Sequence, residues 1–118
     1  MVDEIEELEI WFESAAIAFG YAQDTARAES ADDIMGDLNR IATRAKEMGT
    51  VAEGRLAALM KNGRTHWVRY CSAVLMMKVD RDQAIESLRQ LSGEQGMFVP
   101  MCIALVSDFE QSNSKSHQ

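Results

Sequence analysis

The stretch that decides the fold is His66-Trp-Val-Arg-Tyr-Cys-Ser-Ala-Val-Leu-Met-Met-Lys78. Trp67, Val68, Tyr70, Cys71, Ala73, Val74, Leu75, Met76 and Met77 place apolar side chains on nearly every side of one helical cylinder. The segment falls short of the ~18 apolar residues that cross a bilayer. A helix that is apolar all round and too short for a membrane belongs in the middle of a packed structure, with other helices around it. Arg69 is its one interior charge. A buried guanidinium is costly unless paired and hydrogen-bonded, so a carboxylate from a neighbouring helix start, Asp37 or Glu53, is its expected partner in a structural ion pair.

Helix signals continue outward in both directions, with short gaps and no strand-like alternation. Thr65 caps the central helix. Asp80-Arg-Asp-Gln83 caps a fifth, with Ile85, Leu88 and Leu91 on one face. After Gly93-Glu-Gln-Gly96 a sixth runs to about Gln111, with Pro100 near its first turn, where a missing N–H costs nothing. Towards the N-terminus, Thr50-Val-Ala-Glu53 reads as a capping box opening a third helix that ends at Asn62-Gly63. Ser30-Ala-Asp-Asp33 reads as another, opening a second helix with Ile34, Leu38, Ile41 and Ala45 inward and Gly49 closing it in the left-handed conformation. The first helix spans about Asp3 to Arg27, with Ile5, Leu8, Phe12, Ala15 and Phe19 on one face and Gly20 as a weak point or bend. The sequence therefore predicts one all-α domain over residues 1–111, about six antiparallel helices in a short right-handed stack. Residues 112–118 form a polar, aperiodic tail expected to be disordered.

The pattern Leu56-x-x-Leu59-Met60, a turn at Asn62-Gly63, then Val68-Arg69-x-x-Ser72-Ala73-x-Leu75 resembles one HEAT-type repeat, in which a Val-Arg pair begins the second helix of a hairpin. Ala84-Ile85-x-x-Leu88, Gly96 and Ala104-Leu105 resemble a second, degenerate repeat. Over roughly residues 5–110 the chain is similar to a small bacterial family of HEAT-like proteins with no assigned activity. The resemblance implies a fold and is nearly silent on function. Two repeats are fewer than a solenoid needs, so the first helices must cap or complete the core.

Length and charge narrow the function classes. The 118 residues hold one core, and 47% apolar content is too high for a disordered chain. The net charge of −7 opposes nonspecific binding to nucleic acid or anionic membrane. The acidic start, Met-Val-Asp-Glu-Ile-Glu-Glu, is unlike a basic secretory signal, so a cytoplasmic location is expected. Cys71 and Cys102 lie in apolar runs and read as reduced and buried. With His66 and His117 as the only histidines, no tetrahedral metal set forms, and neither a metal nor a cofactor is expected. Asp32-Asp33 and Asp80-x-Asp82 are explained as helix-start carboxylates. No nucleophile-elbow, phosphate-loop or dinucleotide glycine pattern occurs. The expectation is a non-enzymatic protein with no catalytic residues.

The charge is lopsided: residues 1–60 carry 13 acids and 5 bases, residues 61–118 carry 6 acids and 7 bases. On a helical wheel of about 100° per residue, Ile10, Ile17 and Tyr21 fall nearly opposite the main apolar face of the first helix. Glu6, Glu13 and Asp24 lie beside them. Apolar anchors inside a charged rim are the anatomy of a recognition surface. These six residues form the expected site for a basic protein partner, and the narrower expectation is an immunity or antitoxin-type inhibitor of a nuclease-like toxin. A homodimer through the same strip is a further reading. The alternative is a regulator binding a small ligand or nucleic acid in a groove near Arg64, His66, Trp67 and Tyr70. The methionines, eight in all, are expected mainly in the core, with Met77 and Phe98 the most exposed.

Overall fold

The computed structural model describes residues 3–94 and 98–116, the side chains of residues 98, 109 and 112–116 excepted. Six helices follow one another: α1 (Glu4–Asp24), α2 (Ala28–Met48), α3 (Thr50–Asn62), α4 (His66–Met76), α5 (Arg81–Ser92) and α6 (Phe98–Ser116). No strand occurs among the described residues. Consecutive helices pack on one another, and the radius of gyration is 14.3 Å. No described helix is long and apolar enough to cross a membrane.

The central position expected for α4 is what the packing shows. It touches all five other helices, and Val68, Cys71, Ser72 and Ala73 are fully buried. Ser72 stays satisfied there by donating from Oγ to the Leu56 carbonyl at 2.6 Å, which ties α4 to α3. The same register brings Gly63, at the end of α3, against Val68, at the start of α4. The α3–α4 pair is therefore antiparallel.

Two of the four expected caps form. Thr65 accepts from the Val68 N–H at 3.2 Å, and Asp80 accepts from the Gln83 N–H at 3.3 Å. The other two are misplaced. α2 starts at Ala28, so Ser30, Asp32 and Asp33 lie inside the helix rather than at its cap. Thr50 is the first residue of α3 and Gly49 its cap. Gly49 has φ 115° and ψ −177°, an extended left-sided conformation open only to glycine, and it joins α2 to α3 with no other residue between. The turn from α1 to α2 is nearly as tight. Arg27 N–H donates to the Ala22 carbonyl and Ala26 N–H to the Gln23 carbonyl, a Schellman closure with Ala26 in the left-handed position (φ 57°).

Gly20 does not interrupt α1. A Cβ built there would stand 2.1 Å from Cδ1 of Trp67, so its bare backbone is what lets α1 approach α4. Met60 and Met76 are buried, and Met77 packs against the core rather than facing solvent as expected. Met97 and the Phe98 side chain lie outside the described residues. α6 continues to Ser116, so the backbone of residues 112–116 is helical where a polar tail was expected; residues 117 and 118 lie outside the described set.

Candidate functional site

The outer side of α1 begins with its sequence. From Glu4 to Asp24 the helix carries six carboxylates and no base. Asp3 caps it, accepting from the Glu6 N–H at 2.8 Å. Glu4, Glu6 and Glu7 sit in the first turn, where the positive end of the helix dipole favours them. That effect fades within a turn, so it does not account for Glu13, and Asp24 stands at the end where the dipole opposes a carboxylate.

Packing covers only one side of this helix. Leu8, Phe12, Ala16, Phe19, Gly20 and Ala22 are buried against α2, α3 and α4. On the far side Ile10 is 53% exposed, Ile17 48% and Tyr21 64%. The three expected anchors therefore reach solvent together, along a strip of three helical turns. Glu6, Glu13 and Asp24 make no ion pair among the described residues, so the charge beside the strip is uncompensated. Glu9 differs, being held by Arg55 Nε of α3 at 3.0 Å.

One residue of this surface went unassigned in the sequence. Trp11 is 55% exposed and lines a hollow between α1 and the end of α2 with Glu4, Glu7, Leu8, Arg44 and Met48. Its wheel position borders the core arc, which disguises it. The available signal was its spacing: Glu4 and Glu7 precede it by seven and four residues on one stripe.

The four residues of the alternative groove sit in different environments. Arg64 is exposed, but Tyr70 is only 5% exposed. Its ring stacks on Phe19 at 6.2 Å, and Trp67 meets both rings edge-on at 5.6 and 5.7 Å. Tyr70 and Phe19 are thereby spent on joining α1 to α4, whereas Trp67 keeps part of its surface exposed. Burial, reinforced by the nearby Cys102 and Cys71 thiols, pushes the Tyr70 hydroxyl far above its ordinary range. His66 Nε2 stands 2.9 Å from Glu94 Oε2, so its imidazole meets a carboxylate while remaining exposed.

Arg69 also has a different partner from those expected. Its Nη1 and Nη2 donate to the two Glu94 oxygens at 3.4 and 3.2 Å, while Nε is buried without a hydrogen bond among the described residues. The antiparallel hairpin explains the correction. It sends Glu53 to the far end of α4, beside Met76 and Val79, whereas Asp37 is occupied by Arg40 on the exposed face of α2. The pair remains structural in form, clamping the end of α5 to the start of α4.

Cys71 and Cys102 are free and buried. Burial pushes the Cys71 thiol far up, and burial with the Glu94 charge pushes Cys102 to about 11. Both stay protonated at neutral pH, the inert form of the group. Among the described residues no group of three or more His, Cys, Asp or Glu is placed to hold a metal ion. An open cleft of about 240 Å³ at the end of α4, floored by Ala57, Met60, Met76 and Val79, has only Thr50, Glu53, Asp80 and Gln83 at its edge as polar side chains. No protein-family model, no curated protein and no solved structure matches this chain.

Proposed function

We propose that the chain is a non-enzymatic binding module whose outer α1 face docks a basic protein, and that it acts as an inhibitor of the immunity or antitoxin kind. The observation that carries this reading is the joint exposure of Ile10, Ile17 and Tyr21 on a helix with six carboxylates and no base. Apolar anchors supply what holds a partner once bound, and uncompensated charge supplies the speed with which it is found. Rapid capture of a cationic nuclease-like toxin is the task that this combination suits. The two buried free thiols suit a reducing compartment, which supports a cytoplasmic setting. The antiparallel α3–α4 hairpin, with Val68-Arg69 in the first turn of α4, is the arrangement that the HEAT-like pattern calls for.

Charge speaks against self-association through the same strip. A twofold contact would bring acidic rim against acidic rim with no base to offset either. The test is association kinetics with the partner recovered from the native host. Glu6→Lys with Glu13→Lys should slow association about tenfold or more at low salt and flatten its salt dependence. Ile17→Ala and Tyr21→Ala should act mainly on dissociation. If Ile17→Asp leaves binding intact with helicity unchanged, the α1 face is not the site.

A further inference from the structure

We infer that the hollow between α1 and the end of α2 is a seat for an arginine side chain of the protein partner. Trp11 would be its stacking surface, with Glu4 and Glu7 as its counter-charges. The inference rests on the binding role of α1 proposed above, and adds a recognised chemical group at a second place on that helix.

The hollow has a volume of about 160 Å³, with Leu8 and Met48 as its apolar base. Trp11 presents more than half of its surface to solvent, although the protein buries its other tryptophan more deeply against Gly20. A half-exposed indole at the wall of a hollow offers a flat ring face that a partner group can cover. The lining says what that something is. Glu4 and Glu7 make no ion pair among the described residues, and a neighbouring hollow that shares Glu4 and Met48 adds Asp3. An anion is repelled here and a neutral aliphatic group would strip water from carboxylates without return. A cation meets both the ring face and the charges.

Arginine fits better than lysine. Its guanidinium is planar, weakly hydrated and forked, so it lies flat on an indole while donating to carboxylates at its edge. Lysine keeps a strongly hydrated point charge. The one cation in the lining, Arg44, stands 3.4 Å from Glu47 and is 56% exposed. It is a competitor for the same carboxylates, so removing it should improve the seat.

The test uses tetra-arginine, tetra-lysine and tetra-glutamate peptides at low salt, read by the indole N–H resonances of the two tryptophans. Trp11→Leu, which should fold because the site is exposed, assigns the Trp11 signal. Tetra-arginine is expected to shift the Trp11 resonance and leave Trp67 in place, with weaker effect from tetra-lysine and none from tetra-glutamate. Affinity for tetra-arginine, measured by titration calorimetry so that it needs no indole signal, should fall about fivefold in Trp11→Leu and in Glu4→Gln with Glu7→Gln, and rise in Arg44→Gln. Equal binding of tetra-lysine, a larger response at Trp67, or an unchanged affinity in Trp11→Leu would overturn the seat. Ile17→Asp should leave the Trp11 response intact. Loss of that response in Ile17→Asp places the peptide on the apolar strip, which sinks the arginine seat while sparing the α1 reading.

Discussion

α1 and α4 carry the same signal in sequence, apolar side chains on more than one face, and the fold treats them in opposite ways. α4 has neighbours on every side, so Val68, Cys71 and Ala73 vanish from solvent. α1 meets three helices on one side, and Ile10, Ile17 and Tyr21 are left outside. The charges separate the two in advance. α4 has only Arg69 inside it, whereas α1 interleaves its second apolar strip with carboxylates. Apolar content thus gives a helix's appetite for contact, and the accompanying charge tells which apolar strip its own chain leaves uncovered.

The contrast breaks most visibly if the same change is made in both helices. Val68→Asp places a carboxylate without a partner in the core and should cost at least ~4 kcal/mol, abolishing the cooperative urea transition. Ile17→Asp should shift that transition by no more than ~0.5 kcal/mol, as at an ordinary surface position. A large loss at Ile17 would mean that the outer strip is needed by the fold itself.

Gly20→Ala probes the seam between the two helices. The added Cβ would overlap Trp67 ring atoms at 2.1 and 2.2 Å, so α1 must retreat from α4 at a cost of about 2–3 kcal/mol despite alanine's better helix propensity. The midpoint of urea denaturation measures it. A neutral or stabilising result would show that the close approach is not needed.

A smaller effect separates the buried side by pH. Cys102 is raised from 9.0 to about 11, so the folded state holds the thiol proton more tightly than the unfolded chain. Its contribution is complete below about pH 9 and declines as pH rises through about 11, by about 1 kcal/mol at pH 10. Denaturation midpoints compared at pH 7 and 10 read this slope together with that of the buried Cys71 thiol, and Cys102→Ala should reduce it without abolishing it. An unchanged slope in that variant would assign the alkaline sensitivity elsewhere.

What was legible in the sequence was local. Thr65 and Asp80 reach N–H groups three residues away, and such contacts need no knowledge of the fold. Even here the Ser30 and Thr50 boxes mislead, because tight turns at Ala26 and Gly49 start α2 and α3 earlier than the capping residues imply. The partner of Arg69 was not legible, since it depends on which end of each helix lies beside α4. Gly20 read as a weakness because its reason is the Trp67 ring 47 residues away in the chain. The outer strip of α1 was legible from periodicity alone. Trp11 was not, because only the reach of α2 decides that its ring stays uncovered.

The central claim, that the outer face of α1 meets a basic protein, is tested most directly by a photo-crosslinking side chain in place of Ile17 in the native host. The account predicts one covalent adduct with a protein of net positive charge, lost when Glu6 and Glu13 are reversed to lysine. It also predicts none when the same side chain replaces Asp32 on α2. An adduct with a second copy of this chain, or equal labelling from both positions, would contradict it.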